Sequence, residues 1–352
     1  MNPLDPVREA AAAFHLQASV IESVAGGFSG TRVWKVQDES SRTFALRLLP
    51  TVDRRAAVRL AELSRWMETL HDSGIAVVPR PLRCGAKNSI AAAGVAPWLH
   101  HSQAGVWLAE TWMSGTPFPE LPSTAAVTEL VRVLQSIHAS GRRSALAADG
   151  SDSLFSAREG PSPAVQRRVR MIEELLQGRI RQLQEQVSCE PDTELRDLLM
   201  ILLRQLPAGL TRVMGELRQE ARRAYQLQPV LRDLWYPHAL FTGERLSGIV
   251  DWQAVDTDHR VVDAARLLRS WCRTDASEFD RGLQVFAAEW ALSAGELRLL
   301  RTLDQAAVLL SPLTWLQGRY RSVRQRDTGD PASRRLRELL QVAIWACAEP
   351  CS

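Results

Sequence analysis

Two aspartates follow short apolar runs in the second half of the chain. Asp233 lies in the stretch LRDLWYPHALF at 231–241, and Asp251 ends the run LSGIVD at 246–251. Gly243 predicts a turn between two short strands, an arrangement that would bring both carboxylates to one place. Such a pair suits phosphoryl transfer, in which one carboxylate accepts the proton of a hydroxyl and another binds Mg²⁺ beside the phosphates.

The composition is that of a globular protein large enough for two lobes. Among 352 residues, 45% are hydrophobic and 24% are charged, and the formal net charge is only +3, so no nucleic-acid partner is implied. The most apolar internal run is short and contains a proline, which argues against a membrane span. No signal peptide is recognised and the five cysteines are dispersed, so we expect a cytoplasmic protein.

The first hundred or so residues predict a small sheet with one amphipathic helix. A short helix capped by Asp5 precedes a strand, a glycine-containing turn and a second strand, and TFALRLLP is a third strand. An amphipathic helix follows and ends at Gly74, and the stretches 77–85 and 106–113 predict further strands. We expect a nucleotide-binding lobe at 1–110 and a hinge at 111–119.

Residues 120–352 predict a mainly helical lobe with a helical insert at 162–225. A helix places Val127, Val131, Leu134 and His138 on one stripe, and 141–163 is a polar loop. Apolar residues spaced by three or four predict one long helix over 165–187, and two more helices are expected on either side of Pro207. The fold class is therefore α+β, with a small antiparallel sheet lobe and a larger helical lobe.

In the order and spacing of these stretches the chain resembles the aminoglycoside phosphotransferase and choline kinase-like family, which has a protein-kinase-like fold. LRDLWYPHALF and SGIVDWQ match its catalytic and metal-binding motifs, GGFSGTRVWKV its phosphate loop, and ETWMSGTPFPE its hinge. The resemblance extends from about Ile21 to Trp271 and implies a kinase that uses ATP and Mg²⁺.

The resemblance implies a role for each matched residue. Asp233 would be the catalytic base and Asp251 the metal ligand, and backbone groups of Thr111, Trp112 and Met113 would contact adenine. Arg47 would bind phosphates with Glu62 as its helix partner, for which a solvated helix glutamate is the alternative. The phosphate loop would present the backbone of Gly26, Gly27, Ser29 and Gly30, for which an ordinary hairpin turn is the alternative.

Three residues depart from the family pattern. Arg47 stands where a lysine is usual and keeps its charge. His238 replaces an asparagine, and imidazole can weaken Mg²⁺ binding, favour Mn²⁺ or similar ions, or hydrogen-bond Asp233 instead. Arg232 replaces the glycine before Asp233, and its charge would keep that carboxylate anionic while weakening it as a base.

Other polar residues allow more than one interpretation. Asp256, Asp258 and His259 could line an acceptor pocket or be solvated in a loop, and Asp263 could cap a helix or brace the catalytic loop. The adjacent pair His100 and His101 is expected in a surface loop.

The acceptor is expected to be a small hydroxylated metabolite or sugar. The helix beginning near residue 165 is rich in arginine, whereas a polycationic aminoglycoside calls for an acidic pocket. The alternative from another class is a catalytically impaired pseudokinase that binds nucleotide or a protein partner, with His238 as its main support.

Overall fold

The structure is a computed structural model that describes residues 4–24, 31–49, 52–85, 97–147, 157–321 and 331–348. Contacts divide the chain into two compact units. The first contains residues 1–156 and 236–256, and the second contains residues 157–235 and 257–352. The expected lobe boundaries at 110 and 119 stay a prediction.

The chain contains short strands in its first third and long helices in its last third. In chain order the elements are α1 (Asp5–Ala13), β1 (Ala18–Val24), β2 (Arg32–Asp38), β3 (Thr43–Leu49), α2 (Arg54–Asp72), β4 (His100–Ser102), β5 (Gly105–Thr111), β6 (Thr116–Pro117), α3 (Thr124–Ala147), β7 (Arg158–Gly160), α4 (Pro163–Glu174), α5 (Ile180–Ser188), α6 (Thr193–Glu220), β8 (Tyr225–Val230), β9 (Ala239–Thr242), β10 (Arg245–Ile249), β11 (Asp256–Asp258), α7 (Val261–Cys272), α8 (Ala276–Trp290), α9 (Ala294–Arg321) and α10 (Pro331–Ala348).

The first unit is built on a five-stranded sheet in the order β1-β2-β3-β5-β4, in which neighbouring strands are antiparallel. Apolar side chains alternate along β2 and β3, and one face of the sheet packs with α1 around Trp34, Leu46 and Trp107. The predicted strand at 77–85 is wrong, because this stretch forms only an isolated bridge between Pro81 and Glu110. Two prolines in the stretch remove the N–H groups that a regular ladder needs.

The amphipathic helix α2 is confirmed, and both of its ends have a physical cause. Asp53 accepts a hydrogen bond from the Ala56 N–H and so caps the first turn. At the other end Gly74 adopts a φ of 86°, a left-handed backbone conformation that is costly for a residue with a side chain. Asp5, which was expected to cap the first helix, lies instead inside α1, whose capping residue is Leu4.

A second, smaller sheet of the first unit has the order β10-β9-β6 and contains the hairpin predicted around Gly243. The α3 stripe is confirmed, since its four predicted residues are all buried. α3 continues to Ala147, so the first seven residues of the predicted polar loop are helical instead.

The second unit is a bundle of helices with the three-stranded sheet β11-β8-β7. The predicted single helix over 165–187 is interrupted by a kink within Leu175–Arg179, where Gly178 has a φ of 122°. Because of this kink Leu175 is buried and Leu176 is 42% exposed, whereas the regular spacing had placed Leu176 inside.

The predicted break at Pro207 is also wrong, because α6 runs through this proline. A proline inside a helix costs about 3 kcal/mol through its missing N–H and its steric clash. Leu203, Leu206 and Leu210 are fully buried around it, and α6 packs against α9 and α10. We attribute the continuity of α6 to this packing, which outweighs the local cost.

Candidate active site

Asp251 follows β10 on a backbone that is fixed on both sides. Its φ and ψ are both 63°, a left-handed conformation that is uncommon for residues other than glycine. The Val250 N–H donates to the His238 carbonyl at 2.9 Å, and the Trp252 indole N–H donates to the Ile249 carbonyl at 2.7 Å. Trp252 is buried edge-on against Trp66 of α2, with ring centroids 5.5 Å apart.

Arg47 of β3 links two carboxylates of the first unit. Its Nε donates to Glu110 Oε1 at 2.9 Å, and its Nη1 lies 3.6 Å from Asp251 Oδ1. Burial alone would lower the pKa of Arg47, but the charges of Glu110 and Asp251 outweigh it and raise the pKa. The guanidinium therefore stays charged beside Asp251. The partner expected from the sequence, Glu62 on α2, stays a prediction.

His238 lies on the other side of the Asp251 carboxylate. Its Nε2 is 3.6 Å from Asp251 Oδ2, and its side chain is 13% exposed, compared with 41% for Asp251. The residue ends a short 3-10 turn that begins at Tyr236 and leads directly into β9. The two oxygens of Asp251 thus face different basic groups.

The segment expected to contact adenine runs from the end of β5 past Met113. The Thr111 N–H donates to the Arg80 carbonyl at 2.9 Å, and the Trp112 N–H donates to the Thr43 carbonyl at 3.0 Å. A Cβ at Gly248 would lie 2.8 Å from Met113 Cβ, so only glycine allows β10 to approach this segment so closely. Two of the three backbone N–H groups are therefore already used.

In the second unit, the backbone before Asp233 is braced by the buried Asp263 of α7. Its two oxygens accept hydrogen bonds from the Leu231 N–H at 2.9 Å and the Arg232 N–H at 2.7 Å. Of the two roles expected for Asp263, bracing the loop is confirmed. Arg232 has a φ of 64°, a left-handed conformation that explains why the resembling motif carries glycine at this position.

Asp233 itself pairs with Arg266, also of α7. Arg266 Nη2 donates to Asp233 Oδ1 at 2.6 Å, and its Nε donates to the same oxygen at 3.2 Å. Both side chains are about one-third exposed, so solvent can reach this pair. The carboxylate is held in one orientation by a rigid, planar group.

A family model described as "Phosphotransferase enzyme family" matches residues 20–300. The chain belongs to this family. The resemblance stated from the sequence is thereby confirmed, and with it the kinase-like fold class with a small antiparallel sheet and a larger helical portion.

Three known proteins show how distant the relatives of this chain are. Homoserine kinase of Methylocella silvestris is 34% identical over 89 residues, which are 24% of this chain and only 28% of that protein. A spectinomycin phosphotransferase solved with ADP and spectinomycin shares 10% identity at a TM-score of 0.65, covering 97% of this chain and 98% of its own. An amicoumacin kinase solved with AMP-PNP and Ca²⁺ shares 14% identity at a TM-score of 0.63, covering 98% and 93%.

Asp258 and His259 are buried in the second unit, so the alternative of a solvated loop is wrong for them. Asp258 accepts hydrogen bonds from the Ser162 hydroxyl at 2.6 Å and the Ala164 N–H at 2.8 Å, and thereby caps α4. In the first unit, Asp256 lies 3.9 Å from Arg59 of α2.

His259 joins a polar cluster around Glu296 of α9. His259 Nε2 lies 3.4 Å from Glu296 Oε1, and Arg260 Nη2 lies 3.0 Å from the same oxygen. The hydrogen bond from His259 lowers the pKa of Glu296 most, and hydrogen bonds from the Ser293 N–H and Arg260 lower it further. Burial acts in the opposite direction, but the pKa of Glu296 still lies far below its ordinary value. We interpret this cluster as structural, because its groups bind one another.

The expected phosphate-loop residues Gly26, Gly27, Ser29 and Gly30 lie outside the described residues. The surface loop expected for the histidine pair is wrong, since both residues lie in β4 and His100 is buried, with its ring edge-on to Phe14. His101 is exposed.

Two residues of the site were not identified from the sequence. Glu110 is an acid within the otherwise apolar strand β5, two residues from the register partner of Arg47, and this pattern could have indicated a cross-strand pair. Arg266 follows the brace Asp263 by three residues and so shares its helix face, which was the available signal.

In the described part of the chain, no helix combines the length and the apolar character needed to cross a membrane.

Proposed function

We propose that this protein transfers the γ-phosphate of ATP, with Mg²⁺, to a hydroxyl group of a small molecule. Membership of the phosphotransferase enzyme family supports the reaction class. The observation that carries the proposal is the setting of Asp251, which lies 3.6 Å from both Arg47 and His238 on a strained backbone. Sparsely populated backbone conformations of this kind cluster at functional sites.

For the nucleotide, the proposal assigns the phosphates to Arg47 and adenine to the segment 111–113. Glu110 holds Arg47 by its Nε, so the remaining guanidinium donors can face a phosphate. Since the Thr111 and Trp112 N–H groups are occupied, adenine would be contacted by backbone carbonyls or by the Met113 N–H. The glycine-rich loop at 26–30 stays a prediction.

The side chains beside Asp251 fit a divalent cation. A carboxylate oxygen and an imidazole nitrogen 3.6 Å apart can face one ion, and the carboxylate suits Mg²⁺ whereas the imidazole also admits Mn²⁺. When bound, the cation would neutralise charge on the phosphates. Arg47 holds Oδ1 of Asp251, and His238 faces Oδ2.

For the acceptor, the proposal assigns the role of base to Asp233. Arg266 holds its Oδ1, and the Asp263 brace fixes the backbone on which it stands. A carboxylate so oriented can accept the proton of an acceptor hydroxyl as phosphoryl transfer proceeds. The adjacent Arg232 keeps positive charge near it.

The named relatives support a hydroxyl-bearing small molecule without identifying it. Their names refer to spectinomycin, amicoumacin and homoserine, which differ in size and charge. We assign the specificity for the acceptor to the helices between residues 162 and 225, of which α4 is rich in arginine.

A nucleotide-binding protein without catalysis is the second candidate. It is favoured by the contact of His238 with Asp251, because the imidazole lies beside the carboxylate oxygen that a metal ion would need. This candidate predicts that nucleotide binds equally well with a chelator as with Mg²⁺.

The test is calorimetric titration with ATP in the presence of Mg²⁺, of Mn²⁺ and of a chelator, on the wild type, Asp251→Asn and Asp233→Asn. We expect metal-dependent binding that Asp251→Asn loses and Asp233→Asn keeps. ADP formation with a panel of hydroxylated compounds should be lost in both variants. Absence of nucleotide binding with either metal in the wild type would contradict the proposal.

A further inference from the structure

Four arginines of the second unit lie close to one another, and one of them contacts Asp233. Arg266 pairs with this carboxylate, Arg232 precedes it in the chain, and Arg167 and Arg168 are consecutive residues of α4. Arg167, Arg232 and Arg266 each repel the charge of Arg168, so the four groups share one electrostatic environment. We call these four residues the arginine cluster.

The carboxylates near the arginine cluster are already engaged. Asp258 accepts from Ser162, from two backbone N–H groups and from Arg167, the last at 3.3 Å. Asp263 has both oxygens on backbone N–H groups, and Asp233 pairs with Arg266. Among the described residues, none of these three carboxylates forms an ion pair with Arg168.

Arg168 has no carboxylate partner among the described residues. It is partly buried, and among the described residues its hydrogen bond goes to the Ala164 carbonyl of its own helix, at 3.1 Å from Nη1. Within that part of the chain no carboxylate lies at ion-pair distance from it. Burial, together with repulsion from the other arginines and against the attraction of Asp258, lowers the pKa of Arg168 to about 10.

A partly buried guanidinium among like charges is unfavourable in a protein that binds no anion. Its remaining donors and its charge are satisfied when an anionic group enters, because charge-assisted hydrogen bonds are the strong ones. Arginine offers a planar fork that matches a carboxylate, sulfate or phosphate group. The same neighbourhood contains Asp233, to which the proposed function assigns the acceptor hydroxyl.

We propose that the arginine cluster binds an anionic group of the acceptor, so that the substrate is a small hydroxy acid or a similar anion-bearing alcohol, and not a polycation. This inference rests on the proposed function for the position of the hydroxyl at Asp233. Arg168 is its principal ligand, and Arg266 contributes from α7. The anion fixes one end of the acceptor while Asp233 receives the hydroxyl at the other.

The test uses inorganic sulfate as the probe and compares Arg168→Met with Arg170→Met. Methionine retains most of the apolar stem, and Arg170 lies on the exposed face of the same helix, which makes it the matched control. Sulfate is titrated calorimetrically at constant ionic strength, first without nucleotide and then with saturating Mg²⁺ and AMP-PNP. Thermal melting of each variant is recorded without sulfate.

We expect wild type and Arg170→Met to bind sulfate with the same Kd, with and without nucleotide, and Arg168→Met to bind it roughly 10- to 100-fold more weakly. Arg168→Met without sulfate should melt at a higher temperature than wild type, since a repelled charge has been removed. An arginine with only a structural role would give the opposite shift in melting temperature.

Other outcomes overturn the inference in distinguishable ways. No sulfate binding by wild type, equal weakening in both variants, or a lower melting temperature with intact binding would refute the anion site. Displacement of sulfate by AMP-PNP would assign the anion to the nucleotide and refute the acceptor assignment. If sulfate binds as expected but Mg²⁺ and AMP-PNP do not bind at all, the kinase function fails, and the acceptor assignment fails with it.

Discussion

Arg266 holds Asp233 by a single carboxylate oxygen, with Nη2 at 2.6 Å and Nε at 3.2 Å from Oδ1. Two donors from one planar group restrict the rotation of the carboxylate more than one point charge can. The pair lies within the second unit, where Asp263 on the same helix already fixes the backbone before Asp233. One helix, α7, therefore positions both the main chain and the side chain of the proposed base.

The first prediction concerns the two hydrogen bonds from Arg266 to Asp233. Arg266→Lys keeps the charge but loses the two-donor geometry, and we expect kcat to fall by about 10-fold or more through misorientation of Asp233. The KM for ATP should change little, because the nucleotide is assigned to residues of the first unit. Steady-state kinetics at varied ATP measures both values. An unchanged kcat would show that Arg266 does not position the base.

The second prediction concerns the strained backbone at Arg232. Because its φ of 64° is costly for a residue with a Cβ, Arg232→Gly should relieve strain of about 1–2 kcal/mol, partly offset by the greater freedom of glycine in the unfolded chain. Arg232→Ala loses the same charge but keeps the strain. Urea denaturation should therefore find the glycine variant more stable than the alanine variant. The reverse order would contradict the left-handed conformation.

The third prediction concerns Glu110. Glu110→Gln removes the charge that holds Arg47, and both side chains are less than one-fifth exposed, so we expect a loss of about 2 kcal/mol in the free energy of unfolding. ATP should also bind more weakly, as measured by calorimetry. Asp280→Asn is the control, because its pair with Arg301 is more than half exposed on both sides and should cost about 0.5 kcal/mol or less.

The fourth prediction concerns acid stability. The pKa of Glu296 lies far below its ordinary value of 4.5, so its contribution to stability is present above pH 4.5 and is lost as the pH falls below that value. Glu296→Gln should therefore be less stable than wild type at pH 7, with a difference that narrows towards pH 3. Melting curves across this range provide the measurement. Asp197→Asn, on an exposed acid of α6, should show no such narrowing.

The sequence predicted those parts of the site that depend on motif order and hydrophobic period. β1, β2, β3, α2 and the hairpin at Gly243 were confirmed, because their signals are local. The partners of the key charges were harder to predict. Glu110 reaches Arg47 through the register of β3 with β5, and Arg266 reaches Asp233 from 33 residues further along the chain. Such pairs depend on tertiary placement, which periodicity does not specify.

The predictions for the helices between residues 165 and 220 failed for a related reason. Pro207 was predicted to break a helix but lies inside the continuous helix α6. Gly178 lies in a stretch whose apolar spacing predicted one continuous helix, and it interrupts that helix. In both places burial against other helices decides the result, and this contribution is not visible in a single helix read alone.

The kink at Gly178 has a consequence for chain length. Between Leu175 and Ile180 the buried positions are five residues apart, one more than a regular α-helix places between residues on the same face. Deleting Gly178 would reduce this spacing to four, which a straight α-helix accommodates, so α4 and α5 should join into the single helix that the apolar spacing predicted. The bend between the two helices would then be lost, and the change at this exposed glycine would be felt in the core of the second unit.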